Sequence, residues 1–157
     1  MADSTIVLIH KKLAELIGRN YSASWPDGSS SHSGLNLTGQ VVRGSLVEPP
    51  VVPYASVHFS DALEEYGPTM GRFSANAIFE IYVFAAGSSL SDRSDNSLNL
   101  VSDCIKALTD DRSLGLSGLI DDIKCSFLAL DGDRYGIAGI GIGYIKAEIK
   151  FQSATGQ

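Results

Sequence analysis

Three stretches of this 157-residue chain hold residue types that chemistry uses, and their spacing decides what each can do. The densest in glycine is Gly139-Ile-Gly-Ile-Gly143, and a glycine-rich loop could cradle a phosphate. A dinucleotide loop needs Gly-x-Gly-x-x-Gly opening a helix, and a phosphate loop ends in Gly-Lys-Ser/Thr; neither pattern is here. Asp131-Gly-Asp-Arg-Tyr-Gly136 starts like a calcium loop but lacks the later ligands and the closing Glu, so it reads as a hairpin turn. Ser29-Ser-Ser-His32 sets hydroxyls beside an imidazole, the components of nucleophilic catalysis. It sits in a stretch of loop composition that would not hold a geometry, and no Gly-x-Ser-x-Gly elbow occurs. His10, His32 and His58 are scattered without zinc spacing, and His10 reads as a surface histidine. The paired acids Asp110-Asp111 and Asp121-Asp122 fall near element ends, where capping and solvation account for them. The expectation is a chain with no catalytic residues, no metal ligands and no cofactor.

The glycines of 139–143 carry a different message once they are placed on a strand. With period two, Gly139, Gly141 and Gly143 share one face, which continues as Ile145, Ala147, Ile149 and Phe151. Glycine weakens a strand, so a row of three implies a close approach by something else. Two occupants fit: the helix expected over 91–110, or a neighbouring subunit. The strand expected over 72–86 is similar in kind. Phe73, Ala75, Ala77, Phe79, Ile81 and Val83 make one apolar face, while Ser74, Asn76 and Glu80 mix with Ile78, Tyr82 and Phe84 on the other. Such a strand is central in its sheet or is covered by a neighbouring subunit.

The elements that would position these residues follow in order. Asp3 or Ser4 can cap a first helix, which carries Ile6, Ile9, Leu13, Leu16 and Ile17 at helical spacing and ends near Gly18. Residues 21–39 are rich in Ser, Gly and Asn and nearly free of charge, as a long loop is. Trp25, the only tryptophan, either anchors that loop to the body or contacts another chain. A short strand over 40–47 leads to a stiff Pro-rich connector at 48–53. Residues 54–60 alternate, with Ala55, Val57 and Phe59 opposed to Tyr54, Ser56 and His58, and 61–66 read as one helical turn or a tight loop. Ser91, Asp92 and Ser94 favour the start of the second helix, with Leu98, Val101, Cys104, Ile105 and Leu108 as its buried stripe. A break at 113–118 precedes two final strands, the first over 120–130.

Composition bounds the function. Hydrophobic residues make up 44% and charged residues 19%, which is globular composition, and one domain over 1–157 is the simplest organisation. The formal charge of −6, without a Lys/Arg run, disfavours a dedicated nucleic-acid binder. Cys104 and Cys125 both fall in core-facing patterns and read as buried thiols, in keeping with a reducing place of synthesis. The polar, acidic N-terminus argues against a signal peptide, and the longest apolar run is too short to span a bilayer as a helix. The fold expected is α+β: a mixed, mainly antiparallel sheet with an N-terminal helix and a second helix packed across it. Its candidate subunit or partner contacts are Trp25, Tyr54, His58, Tyr82, Phe84, Gly139, Gly141 and Gly143.

The order of these pieces is similar to that of a known family. Arg72-Phe-Ser-Ala-Asn-Ala-Ile-Phe-Glu-Ile-Tyr-Val-Phe, then Leu98-Asn-Leu-Val-Ser-Asp-Cys-Ile-Lys-Ala-Leu108, Asp111-Arg-Ser-Leu-Gly115 and the paired strands to Phe151 resemble the tail terminator (tail completion) proteins of long-tailed bacteriophages. The resemblance covers about 72–151; residues 21–39 and 48–53 have no counterpart in it. It implies a virion protein, made in the bacterial cytoplasm, that forms a homohexameric ring at the tail–neck junction. Such a ring ends the tail tube, meets the tail tube protein and the head–tail connector or neck protein, and lets DNA through its lumen without specific binding. No membrane and no enzymatic activity are implied. The alternatives are a neck or head-closure protein of the same junction and, from another class, a small-ligand-binding or enzymatic domain with the Trp25 loop as a lid.

Overall fold

A computed structural model describes residues 3–18, 37, 39–44, 51–66, 72–110, 114, 116, 120–131 and 139–154. Two helices and five strands follow the order α1 (Thr5–Ile17), β1 (Val41–Arg43), β2 (Tyr54–Tyr66), β3 (Arg72–Ala86), α2 (Leu90–Thr109), β4 (Ile120–Asp131) and β5 (Ile140–Ala154). The strands form one sheet in the order β1-β2-β3-β5-β4, so β3 is central. The β1–β2 pair is parallel and the other three pairs are antiparallel. Both helices lie on one face: α1 over β1 and β2, and α2 over β3, β5 and β4. This is the α+β architecture expected, with its mixed, mainly antiparallel sheet and its two helices in the expected places.

Local chemistry accounts for the helix ends. Ser4 caps α1, its Oγ accepting from the Val7 N–H at 3.4 Å, and Gly18 closes it by donating to the Ala14 carbonyl at 3.0 Å. Ser89 caps α2, two residues before the expected Ser91, and Asp92 stands in the first turn against the positive end of the dipole. Ile9, Leu13, Leu16 and Ile17 enter the core with Leu37, Ala55, Val57, Phe79 and Ile81, and Leu100, Val101, Cys104 and Leu108 join them from α2. Leu37 lies inside the stretch expected to be loop. Leu114, from the expected break, is also buried and holds a φ of +54°, a left-handed conformation uncommon outside glycine.

Two expectations are corrected. Residues 61–66 are neither a helical turn nor a tight loop: β2 passes through a bulge between Phe59 and Asp61 and stays paired with β3 as far as Tyr66, opposite Phe73. The local preference of an acidic run loses to a ladder of twelve residue pairs. His10 is not a surface histidine. Its Nε2–H donates to the Val57 carbonyl at 2.7 Å, and its ring lies 5.3 Å from that of Phe79. The α2 stripe is also rotated from the one expected. Ser97 and Leu100 are buried, whereas Leu98 is exposed and Ile105 only partly buried.

Candidate functional site

The glycine row is occupied from within the chain. A Cβ placed on Gly141 would overlap the carbonyl of Arg93 and stand 3.2 Å from Ser97 Cβ. A Cβ on Gly143 would overlap Val101 Cγ2 and lie 2.6 Å from Val83 Cγ2. Arg93, Ser97 and Val101 are four residues apart, one face of α2 running along β5. The helix backbone comes this close because two glycines and a small serine meet there, which also explains why polar Ser97 is buried where a hydrophobic stripe would place Leu98. Gly139 plays another part: nothing approaches its Cβ position, and its φ of +76° turns the chain into β5.

The opposite face of the sheet carries no helix among the described residues, and cross-strand register divides it in two. One half is charged. Asp122 stands opposite Lys150, Lys124 opposite Glu148, and Lys146 between Ser126 and Glu80, so opposite signs meet across the strands. Lys146 also pairs with Glu148 along β5 at 3.3 Å. The other half is apolar and aromatic, in two rows that cross four strands. Leu128, Tyr144, Tyr82 and Ser56 make the first, and Leu130, Ile142, Phe84 and Tyr54 the second. Phe84 and Ile142 are buried there as a small satellite core beneath Val52, Tyr54, Tyr82 and Ile140.

Tyr144 stands at the boundary between the halves. Its ring lies 5.2 Å from that of Tyr82, tilted by 59°, and its hydroxyl donates to Glu80 Oε1 at 3.2 Å. Desolvation first, and then the charge and hydrogen bond of Glu80, push its hydroxyl up to about 12. Ser56, His58 and Glu80 bring a hydroxyl, an imidazole and a carboxylate to neighbouring positions of this face. No relay forms from them: the Ser56 Oγ is fully buried and has no hydrogen-bond partner among the described residues. On the covered side, burial pushes the Cys104 thiol up, with the Asp103 charge second, the environment of an inert cysteine. Cys125, expected to be buried, is only half-buried and is in no disulfide. No three His, Cys, Asp or Glu side chains among the described residues gather to hold a metal, and no described helix is long and apolar enough to cross a membrane.

No family model and no curated protein matches this sequence. Among solved structures, one match is a chain described as "Virion of native gene transfer agent (GTA) particle", with a TM-score of 0.50 at 13% identity. The match covers 74% of this chain and 81% of that one. The two chains share a fold. At that identity the fold is what the likeness establishes.

The structure brings four of the contact candidates read from sequence, Tyr54, His58, Tyr82 and Phe84, onto the open face. Phe84 is almost fully buried in its satellite core, which leaves Tyr54, His58 and Tyr82, each half-buried, as the accessible part. Gly141 and Gly143 are corrected: α2 covers them, so they are not available to a neighbouring subunit. Trp25 lies outside the described residues. Sequence reasoning did not nominate Tyr144, Ile142, Leu128 or Val52. The alternation of β5 was the available signal for Tyr144 and Ile142, since it places them opposite the glycine row; Leu128 and Val52 join the surface only through register and packing.

Proposed function

We propose that this chain is a structural subunit of a phage-like virion, and that copies of it form a ring that ends the tail tube and joins it to the head or neck connector. The observation that carries the reading is the shared fold with a chain of a gene transfer agent virion, over 74% of this chain. The tail terminator resemblance supports the finer part: six copies in the ring, contact with the tail tube protein on one side and with the connector on the other. The open face supports an assembly role in physical terms, since its aromatic rows present rigid, half-exposed area of the kind that anchors interfaces. A ring at this place must let DNA pass, and a net charge of −6 per copy disfavours adhesion to phosphates. In this reading the protein fits surfaces together and turns over no substrate.

Native mass measurement and electron microscopy of the purified chain, alone and mixed with tail tube protein, test this. Hexameric rings and density capping tube ends are expected. Absence of both sinks the terminator reading. Rings that bind the head connector but leave tube ends open identify a neck or head-closure subunit instead.

A further inference from the structure

Ion pairing among the described side chains leaves one cation over. Lys11 pairs with Asp3, Lys12 with Glu15 and Lys146 with Glu148. Lys124 and Lys150 stand opposite Glu148 and Asp122 across β4 and β5, and Arg93 and Lys106 have partners of their own. Arg43 is exposed at the end of β1, the three-residue strand at one margin of the sheet. Its cross-strand neighbour is the apolar Val57, and its side chain makes neither an ion pair nor a hydrogen bond among the described residues. The open face holds the acid that matches it. Glu80 is half-buried on β3, where its Oε1 accepts from the Tyr144 hydroxyl at 3.2 Å. Its Oε2 takes no hydrogen bond among the described residues. Lys146, opposite Glu80 in register, turns to Glu148 instead, at 3.3 Å. The carboxylate therefore stands beside the Tyr144 ring with one oxygen open.

We infer that Arg43 of one copy enters the open face of the next copy and pairs there with Glu80, its guanidinium lying on the ring of Tyr144. The inference rests on the ring reading above and names the contact that closes it. A ring is built head to tail, so that a surface of one copy meets a different surface of the next. The β1 margin and the open face are two such surfaces of opposite charge, and neither charge has an ion-pair partner in its own chain among the described residues. A guanidinium suits the place for two reasons. Its planar fork bonds to a carboxylate, and its face stacks on an aromatic ring, so one side chain can use Glu80 and Tyr144 together. Lys124 and Lys150 are poorer candidates, since each would leave an acid opposite it and an ammonium has no such plane. The neighbouring Leu128, Ile142 and Tyr82 exclude water around the pair once the copies meet, and a desolvated pair is screened less than an exposed one.

Exchanging the two charges in the full-length chain tests the contact. Arg43→Glu and Glu80→Arg should each shift the native mass from hexamer to monomer while the far-ultraviolet circular dichroism stays unchanged. The double variant, Arg43→Glu with Glu80→Arg, should restore the hexamer. A second measurement leaves Glu80 in place. Arg43→Lys supplies an amine, and a zero-length carbodiimide, which joins an amine to a carboxylate, should link position 43 of one copy to Glu80 of the next. The product is a covalent dimer on a denaturing gel, with the joined peptides identified by mass spectrometry, and adding Glu80→Gln should abolish it. Hexamers in every variant without a link between 43 and 80 overturn the inference and leave the ring reading standing. A folded double variant that stays monomeric while wild type forms rings does the same. A wild-type chain that forms no ring, alone or on tail tube ends, overturns both.

Discussion

Strand β3 belongs to two surfaces at once. On one side Ala77, Phe79, Ile81 and Val83 have no exposure at all; on the other Asn76, Ile78, Glu80 and Tyr82 are half-buried. The covered side is filled to the point that two glycines are needed where α2 crosses β5, and it has no volume to give. On the open side charges meet their opposites, Tyr144 leans on Glu80, and a satellite core sits beneath a rim of tyrosines. The contrast separates two jobs within one ladder. Burial against the helices stabilises the fold, and the half-solvated side holds the groups that the proposed assembly role would use.

Substitutions at adjacent positions can break this contrast. The largest effect is expected from Ile81→Ala, which empties a fully buried site opposite Ile145 and should cost about 3–4 kcal/mol, read as a lower midpoint in chemical denaturation. Gly141→Ala comes next. Its methyl group would overlap the Arg93 carbonyl, so α2 must lift, at a cost of about 2–3 kcal/mol. A melting temperature equal to wild type would show that the helix is not seated on the glycine row. Tyr82→Ala should remove about 1 kcal/mol of stability, because its ring is only half covered, yet it should weaken self-assembly far more than Ile81→Val does. Equal assembly by the two variants would dissolve the distinction between the faces.

The smallest effect is a pH dependence confined to alkali. Tyr144 has its pKa raised in the fold from the ordinary 10.0 to about 12, so the unfolded chain releases this proton first. Its contribution is fully present below pH 10 and is lost as pH rises through 12. Thermal melts of wild type and Tyr144→Phe should therefore differ in slope only between about pH 10 and 12, the wild type falling faster. Parallel slopes would mean that neither burial nor Glu80 raises the Tyr144 hydroxyl in the fold.

How much of this was legible depended on whether the cause was local. A cap at Asp3 or Ser4, the stripe of α1, a β3 that is central or covered by a neighbour, and the alternation of β5 follow from spacing and residue type; the structure takes Ser4 and the central place. Residues 61–66 misled because an acidic run favours a turn until a partner strand claims its backbone. Ser97 misled because hydrophobic periodicity ranks Leu98 above it, and only the glycines of β5 make a serine the better neighbour. His10 looked like surface because its partner, the Val57 carbonyl, lies 47 residues away. Half of the candidate surface was visible as Tyr54, Tyr82 and Phe84. Its other half came from β4 and β5, whose register with β3 no local pattern states.

By itself, then, the sequence determined the periods: which residues of each helix and strand can share a face, and that no spacing known for phosphate, zinc or nucleophilic chemistry is present. Those depend on dihedral geometry and side-chain type, which act over a few residues. Tertiary structure decided which of two apolar faces was covered, that the glycine row received α2, and that β4 came to lie beside β5. Those outcomes depend on which strands pair and where a helix finds room to lie, and they exist only when distant segments meet.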